Sequence, residues 1–196
     1  MSRSPLGVRD ADPDDASALL LIWGDLLRRT SDRPQRTPLS EVRASLARIV
    51  ADPGQRLVVA VLDEQIVGAA FLTRVPLNPL HAEDAVQISH LHVSESARRH
   101  GVGKALIETA VAWAEEKGFT TVIAAATAQD REANRFLARL GFASIAVIRA
   151  ASVSSLRGGA LPLEPPACAR TDSRTSRAVS LIIAQRRHQR SVKVKS

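Results

Sequence analysis

A short basic loop with two glycines is the part of the chain best suited to chemistry. It has the sequence RRHGVGK, and lies between an extended apolar segment ending at Val93 and a helical pattern running to Lys117. The backbone N–H groups at a strand–loop–helix junction, together with the positive end of the helix dipole, bind phosphate or pyrophosphate. The sequence therefore predicts an anion site formed by Arg98, Arg99, His100, Gly101, Val102, Gly103 and Lys104.

Two better-known phosphate loops do not fit this segment. A Walker loop needs a glycine five positions before its Gly-Lys pair and a hydroxyl residue after it, whereas this chain has Arg98 and Ala105 there. The dinucleotide fingerprint needs a third small residue, and Leu106 occupies that position. What remains is the pattern Arg-x-x-Gly-x-Gly.

This pattern resembles the coenzyme motif of the GNAT superfamily of acetyl-coenzyme A dependent N-acyltransferases, which is close to Val-x-Pro-x-x-Arg-Gly-x-Gly-x-Gly. Val93, Arg98, Gly101 and Gly103 match it in register. Glu95 replaces the common proline, and Arg99 replaces the common glycine. A second segment, ANRFLARLGF at 133–142, resembles the last core helix of the family and its Leu-Gly-Phe exit. The resemblance covers about residues 6–150.

The resemblance implies how acetyl-coenzyme A (acetyl-CoA) would be held. Main-chain N–H groups of residues 99–104 would donate to the pyrophosphate, and main-chain groups of Leu91 and Val93 would pair with the pantetheine arm as a strand does. Asp130 stands where the family frequently has an asparagine, so it is a further candidate for the coenzyme site. We expect no metal.

Two side chains that the family uses for catalysis are replaced here. Leu137 stands where many members have a tyrosine that protonates the departing thiolate, and the chain contains no tyrosine. Because a free thiol has a pKa of about 8.5, leaving as a bare thiolate at pH 7 costs only ~2 kcal/mol. Ser89 and Gln87 stand where the family often has a basic carboxylate or histidine.

The catalytic base is therefore open, with Ser89 and His90 as weak candidates. In a regular strand, His90 and His92 lie on the opposite alternation from Ser89, which predicts two packed or surface histidines. A β-bulge would shift that alternation and could bring His90 into the site. Glu83 and Asp84 could also act through a water.

A site short of bases favours an acceptor that loses its proton easily. Deprotonating a lysine amine at pH 7 costs ~4.6 kcal/mol, whereas an α-amine costs ~1.4 kcal/mol. We therefore expect an α-amine or a similarly weak base as the acceptor.

Composition sets the class of protein and its organisation. A length of 196 residues, with 45% hydrophobic and 24% charged residues, suits one globular core. No apolar run could span a bilayer, and the single cysteine, Cys168, agrees with a reducing compartment, so we expect a cytoplasmic protein. The net charge of +7 lies in residues 168–196, because residues 1–167 hold equal numbers of basic and acidic residues.

The pattern of apolar, turn and capping residues predicts a mixed α/β fold with a mostly antiparallel central sheet flanked by helices, followed by a basic C-terminal extension. We expect one domain at 1–150, and a linker with a partly helical or disordered tail at 151–196. Strands are predicted at 6–9, 57–62, 65–74, 85–93, 121–127 and 142–150. Helices are predicted after Asp12, at 40–50, from the loop to Lys117, at 130–140 and, in the tail, at 175–190.

Three functions follow from these features. The first is an N-acetyltransferase that moves an acetyl group from acetyl-CoA to a primary amine of a small molecule, peptide or protein. The second is a sensor or regulatory module that binds acyl-CoA with little turnover, favoured by the missing tyrosine. The third is a nucleic-acid or ribosome-associated protein, whose basic tail would bind an anionic partner. Sheet-edge dimers are frequent in the family, so a homodimer is also expected.

Overall fold

The computed structural model of the protein describes residues 5–30, 37–80 and 82–157. The basic tail, Cys168 and the helix predicted at 175–190 lie outside these residues. No helix in the described ranges is both long and apolar enough to cross a membrane.

A five-stranded sheet forms the centre of the fold, with its strands in the order β1-β2-β3-β4-β5. The first four strands are antiparallel to their neighbours, and β5 pairs with β4 in parallel. The mixed, mostly antiparallel sheet predicted from the sequence is therefore confirmed. The strands are β1 (Gly7–Asp10), β2 (Gln55–Leu62), β3 (Gln65–Pro76), β4 (Asp84–Val93) and β5 (Val122–Ala124).

Helices cover both faces of the sheet, because the strands alternate apolar side chains to both sides. On β2, Val58 and Ala60 pack in the core beneath α3 and α4, whereas Leu57 and Val59 pack with α1 and α2. We call these the coenzyme face and the acceptor face. The helices are α1 (Ala16–Thr30), α2 (Leu39–Ala51), α3 (Val102–Glu116), α4 (Arg131–Arg139) and the short α5 (Val153–Arg157).

The start of α1 is fixed by a hydrogen-bonded capping box. A single 3₁₀ turn, Pro13–Asp15, precedes the helix; the Asp12 side chain accepts from the Asp14 N–H, and the Asp15 carboxylate accepts from the Asp12 N–H. Arg9 donates twice to Asp15, at 2.6 and 2.8 Å, and this hydrogen bonding lowers the pKa of Asp15. Because the folded pKa lies below the unfolded one, this carboxylate stabilises the fold at neutral pH and loses that contribution as the pH falls through the lowered value.

The hairpin between β2 and β3 turns at the two residues that lie between the strands predicted at 57–62 and 65–74. Asp63 and Glu64 have φ of 49° and 62°. Positive φ at both central residues is the requirement of a type I′ turn, whose twist matches that of the flanking strands.

The strand predicted at 142–150 is wrong. The described chain is irregular from Phe142 to Ser152, and Ile145, Val147 and Ile148 are 74%, 76% and 84% exposed. An alternating apolar pattern forms a strand only where an edge of suitable length pairs with it, and β5 offers three residues. Backbone proximity divides the chain between Ser144 and Ile145, and the domain boundary expected after Ala150 stays a prediction.

The close approach of β3 to the first turn of α3 depends on Gly68. A Cβ at this position would lie 2.9 Å from Val102 Cγ1 and 3.1 Å from the His92 carbonyl oxygen. Gly68→Ala should therefore lower the free energy of unfolding by about 1–3 kcal/mol, as overpacking does. Gly7→Ala is the matched control, because a Cβ there meets nothing within 4 Å in the described chain; it should change stability by less than ~0.5 kcal/mol. Urea unfolding measures both, and similar losses would contradict the close approach.

Candidate functional site

A β-bulge interrupts β4 near the coenzyme loop. Phe71 of β3 pairs with Ser89, and Ala69 pairs with His92, so His90 and Leu91 together oppose one residue of β3. His90 has a φ of 52°, in the left-handed region that is unfavourable for a residue with a side chain. The bulge that the sequence left as an alternative is present.

The bulge reverses the alternation along β4. Before it, Val86 and Ile88 pack on the coenzyme face; after it, Leu91 and Val93 pack there. Ser89 and His92 pair with Phe71 and Ala69, both of which belong to the acceptor face. The expectation that the histidines lie on the opposite side from Ser89 is therefore wrong, because it assumed a regular strand.

His90 is held on the acceptor face by contacts with two elements. Its Nδ1 lies 3.2 Å from Ser89 Oγ. From α1, Trp23 Nε1 donates a 3.0 Å hydrogen bond to the His90 carbonyl oxygen, and the two rings meet edge to face with centroids 6.2 Å apart. The His90 side chain is exposed, so its imidazole can meet an acceptor from solution.

Trp23 is the residue that sequence reasoning missed. It lies in the helix predicted after Asp12, and no local signal in the sequence linked it to β4. A bulge cannot be located from one sequence, so the carbonyl that this indole would find could not be identified either.

The two carboxylates considered as bases lie at the start of β4, whereas His90 lies near its end. Asp84 accepts a 2.7 Å hydrogen bond from Arg74, and Glu83 accepts one from Thr120 at 3.3 Å. Five residues of β4 lie between Asp84 and His90, a distance of about 20 Å. Glu83 and Asp84 are therefore far from His90, and a role for either through a water stays a prediction.

The loop before α3 presents main-chain donors. Arg99 and Gly101 have φ of 64° and 82°, and no side-chain hydrogen bond within the described chain caps the helix. The backbone bond from the Ala105 N–H to the Gly101 carbonyl begins the helical series, and helix geometry leaves the N–H groups of Val102, Gly103 and Lys104 without an intrahelical acceptor. Three uncapped donors at a helix start fit a pyrophosphate.

Arg98, His100 and Lys104 of this loop have partners within the protein. Arg98 forms a 3.1 Å ion pair with Glu132 of α4, and Lys104 lies 3.3 Å from Glu108, one turn along α3. His100 Nδ1 is 2.8 Å from the Arg98 carbonyl oxygen. These contacts leave the main chain as the better-prepared part of an anion site.

Gly103 has a packing role that its place in the motif did not reveal. A Cβ at this position would lie 3.2 Å from Phe136 Cζ. The glycine therefore lets α4 approach the first turn of α3.

The pairing of β4 with β5 ends at Ile88. β5 pairs with Val86, Gln87 and Ile88 of β4, and the Ala125 N–H donates to the Ile88 carbonyl oxygen. Beyond that point β5 ends, so it does not cover the main-chain groups of residues 89–93. This opening suits an extended ligand lying beside Leu91 and Val93.

The segment before α4 is a capped turn, and Leu137 is an apolar core residue. The Asp130 side chain accepts from the Ala133 N–H at 2.9 Å, so it caps α4. Asn134 Nδ2 donates to the carbonyl oxygens of Thr127 and Asp130, at 2.8 and 2.7 Å. Leu137 is 8% exposed and packs in the coenzyme-face core.

Comparison with known proteins gives consistent matches. The model of the acetyltransferase (GNAT) family matches residues 22–142. A transcriptional regulator from Bacillus halodurans is 28% identical, with a TM-score of 0.66, over 76% of this chain and 100% of its own. No curated protein matches the chain significantly.

Two further solved structures share the fold at lower identity. A predicted acetyltransferase with acetyl-CoA from Clostridium acetobutylicum is 17% identical, with a TM-score of 0.62, over 77% of this chain and 98% of its own. A ribosomal-protein-alanine N-acetyltransferase from Brucella melitensis biovar Abortus is 19% identical, with a TM-score of 0.59, over 74% and 99%.

Substitutions in the loop separate main-chain from side-chain binding. Gly101→Val should weaken acetyl-CoA binding more than tenfold, because a β-branched residue is strained at a φ of 82°. Arg98→Ala should weaken it less than threefold, since Arg98 already pairs with Glu132. Arg99→Gly is the control: it removes a charge at a left-handed position that suits glycine, and affinity should stay within twofold. Calorimetry measures all three, and equal losses for Gly101→Val and Arg98→Ala would contradict main-chain binding.

Proposed function

Since the chain belongs to the GNAT acetyltransferase family, we propose that it transfers the acetyl group of acetyl-CoA to the nitrogen of a primary amine, with His90 as the base. The observation that carries this proposal is the bulge, which brings His90 beside Ser89 on the acceptor face, three residues before β4 ends.

Bound acetyl-CoA supplies a thioester carbonyl for attack by the amine. The loop residues Arg98, Arg99, His100, Gly101, Val102, Gly103 and Lys104 hold its pyrophosphate, mainly through N–H groups at the start of α3. The main chain of Leu91 and Val93 lies along the opening between β4 and β5 and orients the arm. Asp130 contributes by fixing the turn before α4.

His90 takes the proton that the amine must lose. In the tautomer whose Nδ1–H donates to Ser89 Oγ, the lone pair of the ring lies on Nε2, and this nitrogen accepts the proton. The amine nitrogen then forms a bond to the acetyl carbon as the C–S bond breaks. Ser89 Oγ is the acceptor for Nδ1–H in this tautomer and takes no part in the proton transfer.

The sulfur leaves without a side-chain acid from α4. Leu137 packs in the core and the chain has no tyrosine, so the thiolate takes its proton from solvent. Departure as the bare thiolate costs only ~2 kcal/mol at pH 7, which slows transfer without preventing it.

The acceptor that suits this site is an α-amine. From Ala85 to Val93, β4 carries no carboxylate that would attract or deprotonate a strongly basic ammonium group. A neighbour with the same fold is a ribosomal-protein-alanine N-acetyltransferase, which supports an acceptor of the peptide or protein class.

A regulatory module that binds acyl-CoA with little turnover is the second candidate. The missing tyrosine favours it, as does the likeness to a transcriptional regulator at 28% identity. A cytoplasmic location, a homodimer and an anionic partner for the basic tail stay predictions.

Thiol release with a panel of amines distinguishes the two candidates. Peptides with a free α-amine should be acetylated faster than the same peptides with only a lysine amine, because deprotonation at pH 7 costs ~3 kcal/mol less. His90→Gln should lower kcat about 10²-fold without changing the KM of acetyl-CoA, the effect of losing a general base. His92→Gln, the same change two residues away, should have a smaller effect. Tight acetyl-CoA binding without thiol release for any amine would favour the regulatory module.

A further inference from the structure

A contact between α1 and the bulge links a helix of the acceptor face to the proposed base. The Trp23 indole touches His90 at two places, with its N–H on the carbonyl oxygen and its ring against the imidazole. Trp23 is half-buried among the side chains that pack α1 on the sheet, which gives the indole a fixed position.

We propose that Trp23 is a positioning residue, which holds the left-handed backbone of His90 and so aims the imidazole at the acceptor. This inference rests on the proposed function, because it assigns Trp23 a role through the base.

The backbone of His90 needs such support. A non-glycine residue at a φ of 52° is strained, and the extra residue of a bulge is left out of the regular ladder. The Trp23 N–H satisfies the carbonyl of that residue, and thereby favours the bulged register over a regular strand. In a regular register the imidazole would turn towards the coenzyme face, where Val86 and Ile88 pack.

The edge-to-face contact of the rings adds orientation to this support. The ring planes are inclined at 66°, and Ser89 lies on the Nδ1 side of the imidazole. Two neighbours on different elements thus restrict the rotation of one ring. A base that is restricted before the acceptor arrives loses less entropy in the reaction.

Tryptophan fluorescence tests the contact without any assay of activity. The chain has two tryptophans and no tyrosine, so Trp113→Phe leaves Trp23 as the sole fluorophore of these types. In that variant His90→Gln should change the Trp23 emission, because it removes the imidazole that meets the indole edge to face. His92→Gln should leave the emission as it is. An emission unchanged by His90→Gln, or changed equally by His92→Gln, would overturn the contact.

Kinetics tests the positioning role. Trp23→Phe keeps an aromatic ring but removes the N–H donor, and should lower kcat about fivefold to tenfold, the effect of one hydrogen bond, with the KM of acetyl-CoA within twofold. Combined with His90→Gln it should cause no further loss, because Trp23 acts through His90. Trp113→Phe, the same change in the core beneath α3, should keep kcat within twofold.

The outcomes separate this inference from the function it rests on. If His90→Gln keeps full activity, the proposed base is wrong, and the emission of the single-tryptophan protein still decides whether Trp23 contacts His90. If His90→Gln is impaired but Trp23→Phe is unchanged, or adds its loss to that of His90→Gln, the positioning role is wrong. If Trp23→Phe does not fold, the emission of the single-tryptophan protein decides, and an emission unchanged by His90→Gln overturns the inference.

Discussion

The extra residue in β4 is the constraint on which the site depends. A strand fixes which side chains face each side of a sheet, and a single inserted residue exchanges the two sides. Val86 and Ile88 keep their place in the core before the bulge, and Leu91 and Val93 keep theirs after it. Because of the inserted residue, both halves of β4 pack apolar side chains on the coenzyme face, while the imidazole between them lies on the acceptor face.

Glycines serve this arrangement at the points where backbone segments meet. Gly68 brings β3 close to the first turn of α3, Gly103 admits Phe136, and Gly101 provides the left-handed residue before the helix. Arg99 adopts a left-handed conformation too, which gives a physical reason why the family commonly has glycine there. The loop and the first turn of α3 therefore combine close packing with a helix start that no side chain of the described residues caps.

The sequence predicted the elements whose causes are local. Alternating apolar residues located β2, β3 and β4, the Asp-Pro pair located the start of α1, and the two glycines located the helix after the loop. It did not predict the side of the sheet on which His90 lies, because this depends on register between strands. The strand expected after Phe142 failed for a related reason: the available length of β5 is a tertiary property. The contact of Trp23 could not be predicted for the same reason, because 67 residues separate it from His90 in the sequence.

The brief pairing of β5 has a consequence for the order in which the molecule opens. β2, β3 and β4 are joined by antiparallel ladders of eight pairs each, whereas β5 pairs with β4 across three residues after the long crossover through α3. Amide protons of β5 should thus exchange with solvent through a local opening that costs less free energy than the opening of β2 and β3. A ligand lying beside β4 beyond its pairing with β5 would add backbone hydrogen bonds at this edge of the sheet. Its binding would raise the free energy of the local opening, so that the amide protons of β5 exchange at rates closer to those of β2 and β3.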